Sequence, residues 1–275
     1  MFPSFVVGGG LAVLLVVAAT EVIVDLLWVN QLERQRIEVV NRLATLRARL
    51  EGEINSTLHL TRGLIAYVAV NPDIDNDEFD ALAGEIVSVG RNIRNIGLAK
   101  HNVITHLFPL AGNEAALGLE YEKVPAQWPA IKQAIDLGGT MVAGPVALVQ
   151  GGQAFIARTP IYTREDLRER PVVREPTYWG IASIVIDIPT LFDSAGIAPE
   201  IDGIQYALRG KDATGARGEM IFGDPALFTA GPVLQSVLLP NGTWQMGALP
   251  VGGWQTSIGG FWQPRLAGWR RDLSR

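Results

Sequence analysis

The sequence predicts an α+β protein: a very long N-terminal helix that first crosses a membrane, then antiparallel strands with a few short helices. Three observations predict this class. The first residues form an apolar run, roughly the next forty follow a heptad pattern, and short strand-like segments bounded by Gly, Pro and Asp fill most of the remainder. Helices at one end of antiparallel strands indicate an α+β class rather than alternating βαβ units.

Composition and charge exclude several classes of protein. The chain has 275 residues, enough for about two ordinary domains, and its 48% hydrophobic and 19% charged residues are typical of a folded protein. A net charge of −5 provides no overall basic face, so we expect no nucleic-acid partner. The absence of Cys excludes disulfides, thiol catalysis and Cys-containing metal sites.

A transmembrane anchor is predicted over residues 1–25. Phe5–Ala19 contains only apolar residues and Gly, and the run continues to Val24 around Glu21. This supplies the roughly 20 residues that a membrane-spanning helix needs. A cleaved signal peptide and a buried core helix are the alternatives, and the signal peptide lacks its usual basic N-terminal region. Arg residues follow the run and none precedes it, so local charge alone leaves the orientation open.

A stalk helix is predicted over residues 26–71. Twelve positions from Val29 to Tyr67, alternately three and four residues apart, are apolar at nine sites, which is a heptad pattern. This seam fits either a helix that packs along its own domain or one that pairs with a second copy. We expect a homodimer, because at 1.5 Å per residue the helix would be roughly 58 Å long. The expected dimer residues are Leu32, Val39, Leu43, Leu46 and Leu50.

Short helices and strands are predicted beyond Pro72, which ends the long helix because the residue before Pro avoids helical geometry. Helices are predicted over 76–89 and 128–137. Strands are predicted over 93–98, 103–110, 141–149, 155–162, 178–188, 204–208, 220–222, 231–239 and 244–249. Ala143–Val146 (AGPV) recurs as Ala230–Val233, a weak echo that suggests two related units.

No sequence motif indicates catalysis. The three consecutive glycines at 8–10 precede an apolar run instead of following a strand, so they are not a dinucleotide-binding loop. The sequence has no GxSxG motif, and His59, His101 and His106 lack zinc-ligand spacing. We therefore expect no enzyme activity, no metal and no cofactor.

Blocks of residues in the middle of the chain resemble the CHASE family of extracytoplasmic sensory domains. They follow the family's order over roughly residues 60–255 and are specific as a set. The blocks are Asn95–Ala99, Phe108–Tyr121, Gly144–Gly152, Trp179–Asp187, Ile221–Pro225, Leu239–Trp244 and Pro250–Trp254.

The resemblance implies a fold, a location and a function. CHASE domains have a long stalk helix and two tandem PAS-like antiparallel-sheet units, and lie outside the cytoplasmic membrane in front of signalling enzymes. It implies a membrane-distal ligand-binding unit over 72–195, a membrane-proximal unit over 196–260 and a juxtamembrane tail over 261–275. The implied function is to sense a small molecule in the periplasm or extracellular space and relay binding through the stalk to a cytoplasmic kinase or cyclase. The alternative is a membrane-tethered envelope scaffold that binds protein partners.

The ligand site is predicted in the distal unit, from apolar strand residues with a few polar groups close by. The candidates are Phe108, Asn113, Glu114, Val142, Val146, Leu148, Gln150, Phe155, Arg158 and Thr159. Arg158 interrupts an apolar strand. If its side chain points inward it needs an anionic partner, for which a ligand carboxylate would serve; otherwise it faces solvent or pairs with Glu114 or a loop acid.

Overall fold

A single helix, α1 (Ser4–Val70), begins the chain. The structure, a computed structural model, describes residues 4–148, 151–163 and 176–254. Between Leu15 and Leu27 the described apolar side chains are mostly exposed, and this is the one helix of the described chain long and apolar enough to cross a membrane. At 1.5 Å per residue, 67 residues extend about 100 Å.

The heptad seam of α1 packs against the chain itself. Val39, Leu43, Leu46 and Leu50 are between 0 and 7% exposed and belong to the main hydrophobic core, while Leu32 is half-buried. The prediction that these residues form a dimer interface is therefore wrong for the four buried ones. The heptad pattern arises because a long helix needs a continuous apolar stripe against two successive sheets as much as against a second helix.

The first sheet is antiparallel and lies along the C-terminal part of α1. Asp75 caps the N-terminus of the helix α2 (Asn76–Val89): its carboxylate accepts a hydrogen bond from the Glu78 amide. The sheet order is β2-β1-β5-β4-β3. Its elements are β1 (Ile93–Lys100), β2 (Val103–Phe108), α3 (Trp128–Leu137), β3 (Met141–Ala147), β4 (Gln153–Thr163) and β5 (Thr177–Asp187).

A short helix that sequence reasoning missed, α4 (Ile188–Ala195), leads to the second sheet. Asp187 caps its N-terminus and Gly196 ends it in the left-handed conformation, so the strand predicted to continue to Ile188 stops at Asp187. The second sheet comprises β6 (Glu200–Ile201), β7 (Ile204–Arg209), β8 (Met220–Phe222), β9 (Val233–Leu239) and β10 (Gly242–Pro250). Its order is β6-β7-β10-β9, and β8 also pairs with β7.

The two sheets repeat one strand order. The series β2-β1-β5-β4 of the first sheet corresponds to β8-β7-β10-β9 of the second. The AGPV echo does not mark this repeat, because its first copy lies within β3 and its second leads into β9, which corresponds to β4. The fold is thus α+β with two PAS-like sheets, as predicted. The AGPV repeat does not support this prediction, because its two copies lie at different positions in the two sheets.

The sheets occupy successive lengths of α1. Gln235 of β9 contacts Arg47 and the Val40 carbonyl, whereas Asn92, next to β1, donates to Glu53. The second sheet therefore lies nearer the apolar N-terminal end of α1. The two cores meet where the Phe155 and Trp244 rings lie 4.6 Å apart.

Candidate ligand-binding site

The connection from β2 to β3 folds over the face of the first sheet that points away from α1. It contains two 3₁₀ turns, Glu114–Ala116 and Tyr121–Lys123, followed by α3. Ala116, Tyr121 and Ile131 of this connection pack on Ile104 and Ile181 of the sheet. We call this the covered face.

Arg158 on β4 points into the covered face and is only 1% exposed. Its Nη2 donates to Oε1 of Gln127, 2.5 Å away, and its Cζ lies 5.7 Å from the centroid of the Tyr121 ring. Among the described residues no group accepts a hydrogen bond from its Nε or Nη1, while the Tyr121 side chain and the Asp212 carboxylate both favour its charged form. Within the described ranges, no carboxylate forms an ion pair with this guanidinium. Burial lowers the pKa of Arg158, because water no longer solvates its charge.

Further buried polar groups surround Arg158 on the same face. Ser183 is its direct partner across β4 and β5, and its hydroxyl lies 2.9 Å from the Tyr121 hydroxyl. On β1, the strand next to β5, Asn95 donates to Asn113 over 2.9 Å, and Asn113 donates to the Pro109 carbonyl. The group, called the inner polar cluster, consists of Asn95, Asn113, Tyr121, Gln127, Arg158 and Ser183.

The structure brings only some of the predicted site residues together. Arg158 and Asn113 belong to the inner polar cluster, and Val146 and Leu148 pack beside Ile156 on the same face. Glu114 is exposed, and hydrogen bonds from the amides of Glu114 and Gly112 lower the pKa of its carboxyl group. Gln150 lies outside the described residues.

Four predicted residues lie on the opposite face of the sheet, which corrects the prediction that all ten line one pocket. Val142 and Phe155 belong to the core against α1, Phe108 lies against Gly84 of α2, and Thr159 faces the side chains of α1. The reason is the two-residue period of a strand, which sends neighbours such as Arg158 and Thr159 to opposite faces. The prediction groups residues of both strand faces together.

Sequence reasoning missed four members of the inner polar cluster. Ser183 was detectable, because like Arg158 it is a lone polar residue within an apolar strand, Thr177–Asp187. Asn95 gives a weaker signal, because its neighbour Arg94 in β1 is also polar. Tyr121 and Gln127 gave none, since they come from an irregular connection. Among the described residues there is no group of three His, Asp or Glu side chains that could hold a metal ion.

Comparisons with known proteins agree on the type of domain. A family model described as the CHASE domain matches residues 54–222, more than half of the chain. A comparison with curated proteins returned no match.

Solved structures of sensor domains share the fold at low sequence identity. The chain is similar to an extracellular ligand-binding receptor from Desulfohalobium retbaense, with TM-score 0.59 and 9% identity over 77% of this chain and 40% of that one. It is also similar to the ligand-binding domain of the Pseudomonas aeruginosa amino-acid chemoreceptor PctC in complex with GABA, with TM-score 0.56 and 14% identity over 78% and 98%. A third is the extracellular domain of a histidine kinase, with TM-score 0.56 and 10% identity over 79% and 94%.

Proposed function

This chain belongs to the CHASE domain family of extracytoplasmic ligand-sensing receptor modules, and on that premise we propose that its inner polar cluster binds a small ligand through an anionic group. The observation that carries the proposal is the Arg158 guanidinium, which is buried, forms no ion pair among the described residues and has two nitrogens without an acceptor among them. Uncompensated burial of a charge is costly, so a protein that keeps one at a site gains from a partner that arrives later.

Gln127 gives the ligand a route to the guanidinium. Its amide oxygen accepts a hydrogen bond from Nη2 of Arg158, as a carboxylate oxygen would, but the amide is neutral. A carboxylate that displaced it would gain charge-assisted hydrogen bonds, which are roughly twice as strong as neutral ones. Because Gln127 immediately precedes α3, this displacement would move the connection that covers the site.

The cluster also favours one class of ligand over another. Its described members are one cation and five neutral groups, so the ammonium of an amino acid would find only neutral acceptors. PctC, in contrast, is a receptor for amino acids. We infer a simple carboxylate, neutral apart from its acid group.

A thermal-shift screen of the full chain in detergent tests this function. The panel contains simple carboxylates, their uncharged amides, and amino acids including γ-aminobutyrate. A ligand that binds only the folded state raises the midpoint. We expect at least one carboxylate, but not its amide, to raise it in the natural chain and to have no effect on Arg158→Gln. The matched control Arg209→Gln removes an arginine of the second sheet and should keep the response; a response that survives Arg158→Gln would refute the site.

The signal would travel through β4, which has the ligand on one face and α1 on the other. Arg158 faces the cluster, while its neighbour Thr159 faces α1, so a shift of this strand would change the contacts between β4 and α1.

The apolar, exposed side chains from Leu15 to Leu27 support α1 as the membrane anchor, with the second sheet nearer the membrane. Because the chain has no Cys, single Cys variants at exposed Ser236 can test the topology: an impermeant maleimide should label them in intact spheroplasts.

A homodimer remains a proposal, but through a different face of α1. Ile37 and Val40 are 59% and 39% exposed and continue into the small residues Ala44 and Ala48. A helix pair along this face would cover them without disturbing the core. We expect Ile37→Glu with Val40→Glu to halve the protein mass measured by ultracentrifugation in detergent while the circular dichroism stays unchanged. A natural chain that is already monomeric would contradict the dimer.

A further inference from the structure

A recess lies at the junction of α1, the first sheet and the turn between β9 and β10. It has a volume of about 340 Å³, within the range of small-molecule sites. Its lining includes His59 and Arg62 of α1, Thr159 and Tyr162 of β4, and Pro240 of the turn. We call it the junction cavity. It lies on the opposite face of β4 from Arg158.

The described lining of the junction cavity carries positive charge and no negative charge. None of the described lining residues is acidic, and α1 contains no Asp or Glu from Ile54 to Val70. Arg62 is exposed and has no ion pair or side-chain hydrogen bond among the described residues, and the same holds for His59. A recess with one sign of charge and low-dielectric walls concentrates the opposite charge.

The remaining lining is suited to an amphipathic molecule. The Thr140 and Thr159 hydroxyls lie 2.8 Å apart and provide a polar end. The walls are apolar, formed by Leu58, Ile65 and Pro240. The charged group of a small anion would pair with Arg62, and its apolar body would pack against these walls.

An occupant of the junction cavity would contact the elements that connect the two sheets. Asn241 of the β9–β10 turn donates to the Thr140 carbonyl over 2.9 Å, which ties the second sheet to the edge of the first. Tyr162 donates to the Ile135 carbonyl of α3, the helix that begins directly after Gln127. The cavity therefore borders α1, the first sheet and the β9–β10 turn, and its lining residue Tyr162 is bonded to α3.

We propose that the junction cavity is a second ligand site, which takes a small carboxylate with an apolar body of about the size of benzoate. Its occupancy fixes α1 against both sheets. The site is independent of the inner polar cluster, since it uses Arg62 and a different face of β4.

Fluorine NMR of 4-fluorobenzoate with the full chain in detergent micelles tests this site, with protein-free micelles as the baseline. We expect saturable binding that is weakened at least tenfold by Arg62→Gln and unchanged by Arg158→Gln. 4-Fluorobenzamide should bind at least tenfold more weakly than the acid. Ala66→Trp, at an exposed lining position, should also weaken binding by filling the recess without altering the core.

The outcomes separate the two sites. No saturable binding to the natural chain, or equal affinity in Arg62→Gln, overturns the junction site and leaves the inner polar cluster to its own screen. Loss of binding in Arg158→Gln alone also overturns the junction site, while it supports an anion at the inner polar cluster.

Discussion

The amide oxygen of Gln127 lies 2.5 Å from Nη2 of Arg158, while Nε and Nη1 of this buried guanidinium have no acceptor among the described residues. A neutral amide thus occupies the position where a counter-ion is expected. This hydrogen bond connects the buried charge to the start of α3.

Replacing Arg158 with Met should stabilise the unliganded chain. The substitution removes a buried, unpaired charge and keeps an unbranched apolar side chain, so we expect the free energy of unfolding to rise by about 1–4 kcal/mol, as when buried ionic groups are replaced by apolar ones. Chemical denaturation in detergent measures it. Leu208→Met, a swap between apolar side chains in the core of the second sheet, is the control and should not stabilise. Marked destabilisation by Arg158→Met would mean that the arginine is a structural group.

The hydrogen bond between Tyr121 and Ser183 should hold the connection onto the sheet. The two hydroxyls lie 2.9 Å apart and are buried. In a double-mutant cycle with Tyr121→Phe and Ser183→Ala, we expect a coupling energy of about 0.5–1.5 kcal/mol, the usual net value of one hydrogen bond. Additive single changes would show that the hydroxyls do not stabilise each other.

Leu50 should behave as a core residue and not as an interface residue. It is fully buried within its own chain, so Leu50→Ala should cost about 2–5 kcal/mol of unfolding free energy at any protein concentration. Ile37→Ala, on the exposed side of the same helix, should change the stability of a monomeric preparation by less than about 0.5 kcal/mol. If the cost of Leu50→Ala instead varied with protein concentration, the leucine would stabilise an oligomer.

Stability should fall in mildly acid solution because of His106. Partial burial, the largest cause, lowers its pKa below the usual 6.5, and its ring packs 5.3 Å from that of Phe79. The unfolded chain therefore binds a proton at a higher pH than the folded one, so stability present above pH 6.5 is lost as the pH falls through the folded pKa. His106→Gln should flatten this part of a stability–pH curve. Equal slopes in the natural chain and in His106→Gln would contradict the assignment.

The parts of this molecule that follow from local pattern could be predicted. The apolar run, the length of α1, most strands and the α+β class depend on periodicity and turn residues, which a sequence displays directly. The seam residues Leu43 and Leu50 show the limit, because a heptad pattern reports that a stripe is buried but not what buries it. Only the three-dimensional structure shows that two sheets of the same chain do so.

The candidate site was predictable only where a polar residue interrupts an apolar strand. Arg158 and Ser183 both meet that criterion, although the prediction includes only Arg158. Gln127 and Tyr121 come from an irregular connection whose path over the sheet depends on packing at a distance. Strand alternation places Thr159 on the face opposite Arg158, where the prediction does not expect it.

The most direct measurement is the affinity ratio between the best carboxylate of the thermal-shift screen and its uncharged amide, obtained by calorimetry for the natural chain and for Arg158→Met. A guanidinium anchor predicts that the natural chain prefers the acid at least tenfold and that the variant binds both compounds equally. An undiminished preference for the acid in Arg158→Met would show that another group recognises the charge, and would contradict the claim that Arg158 binds the ligand.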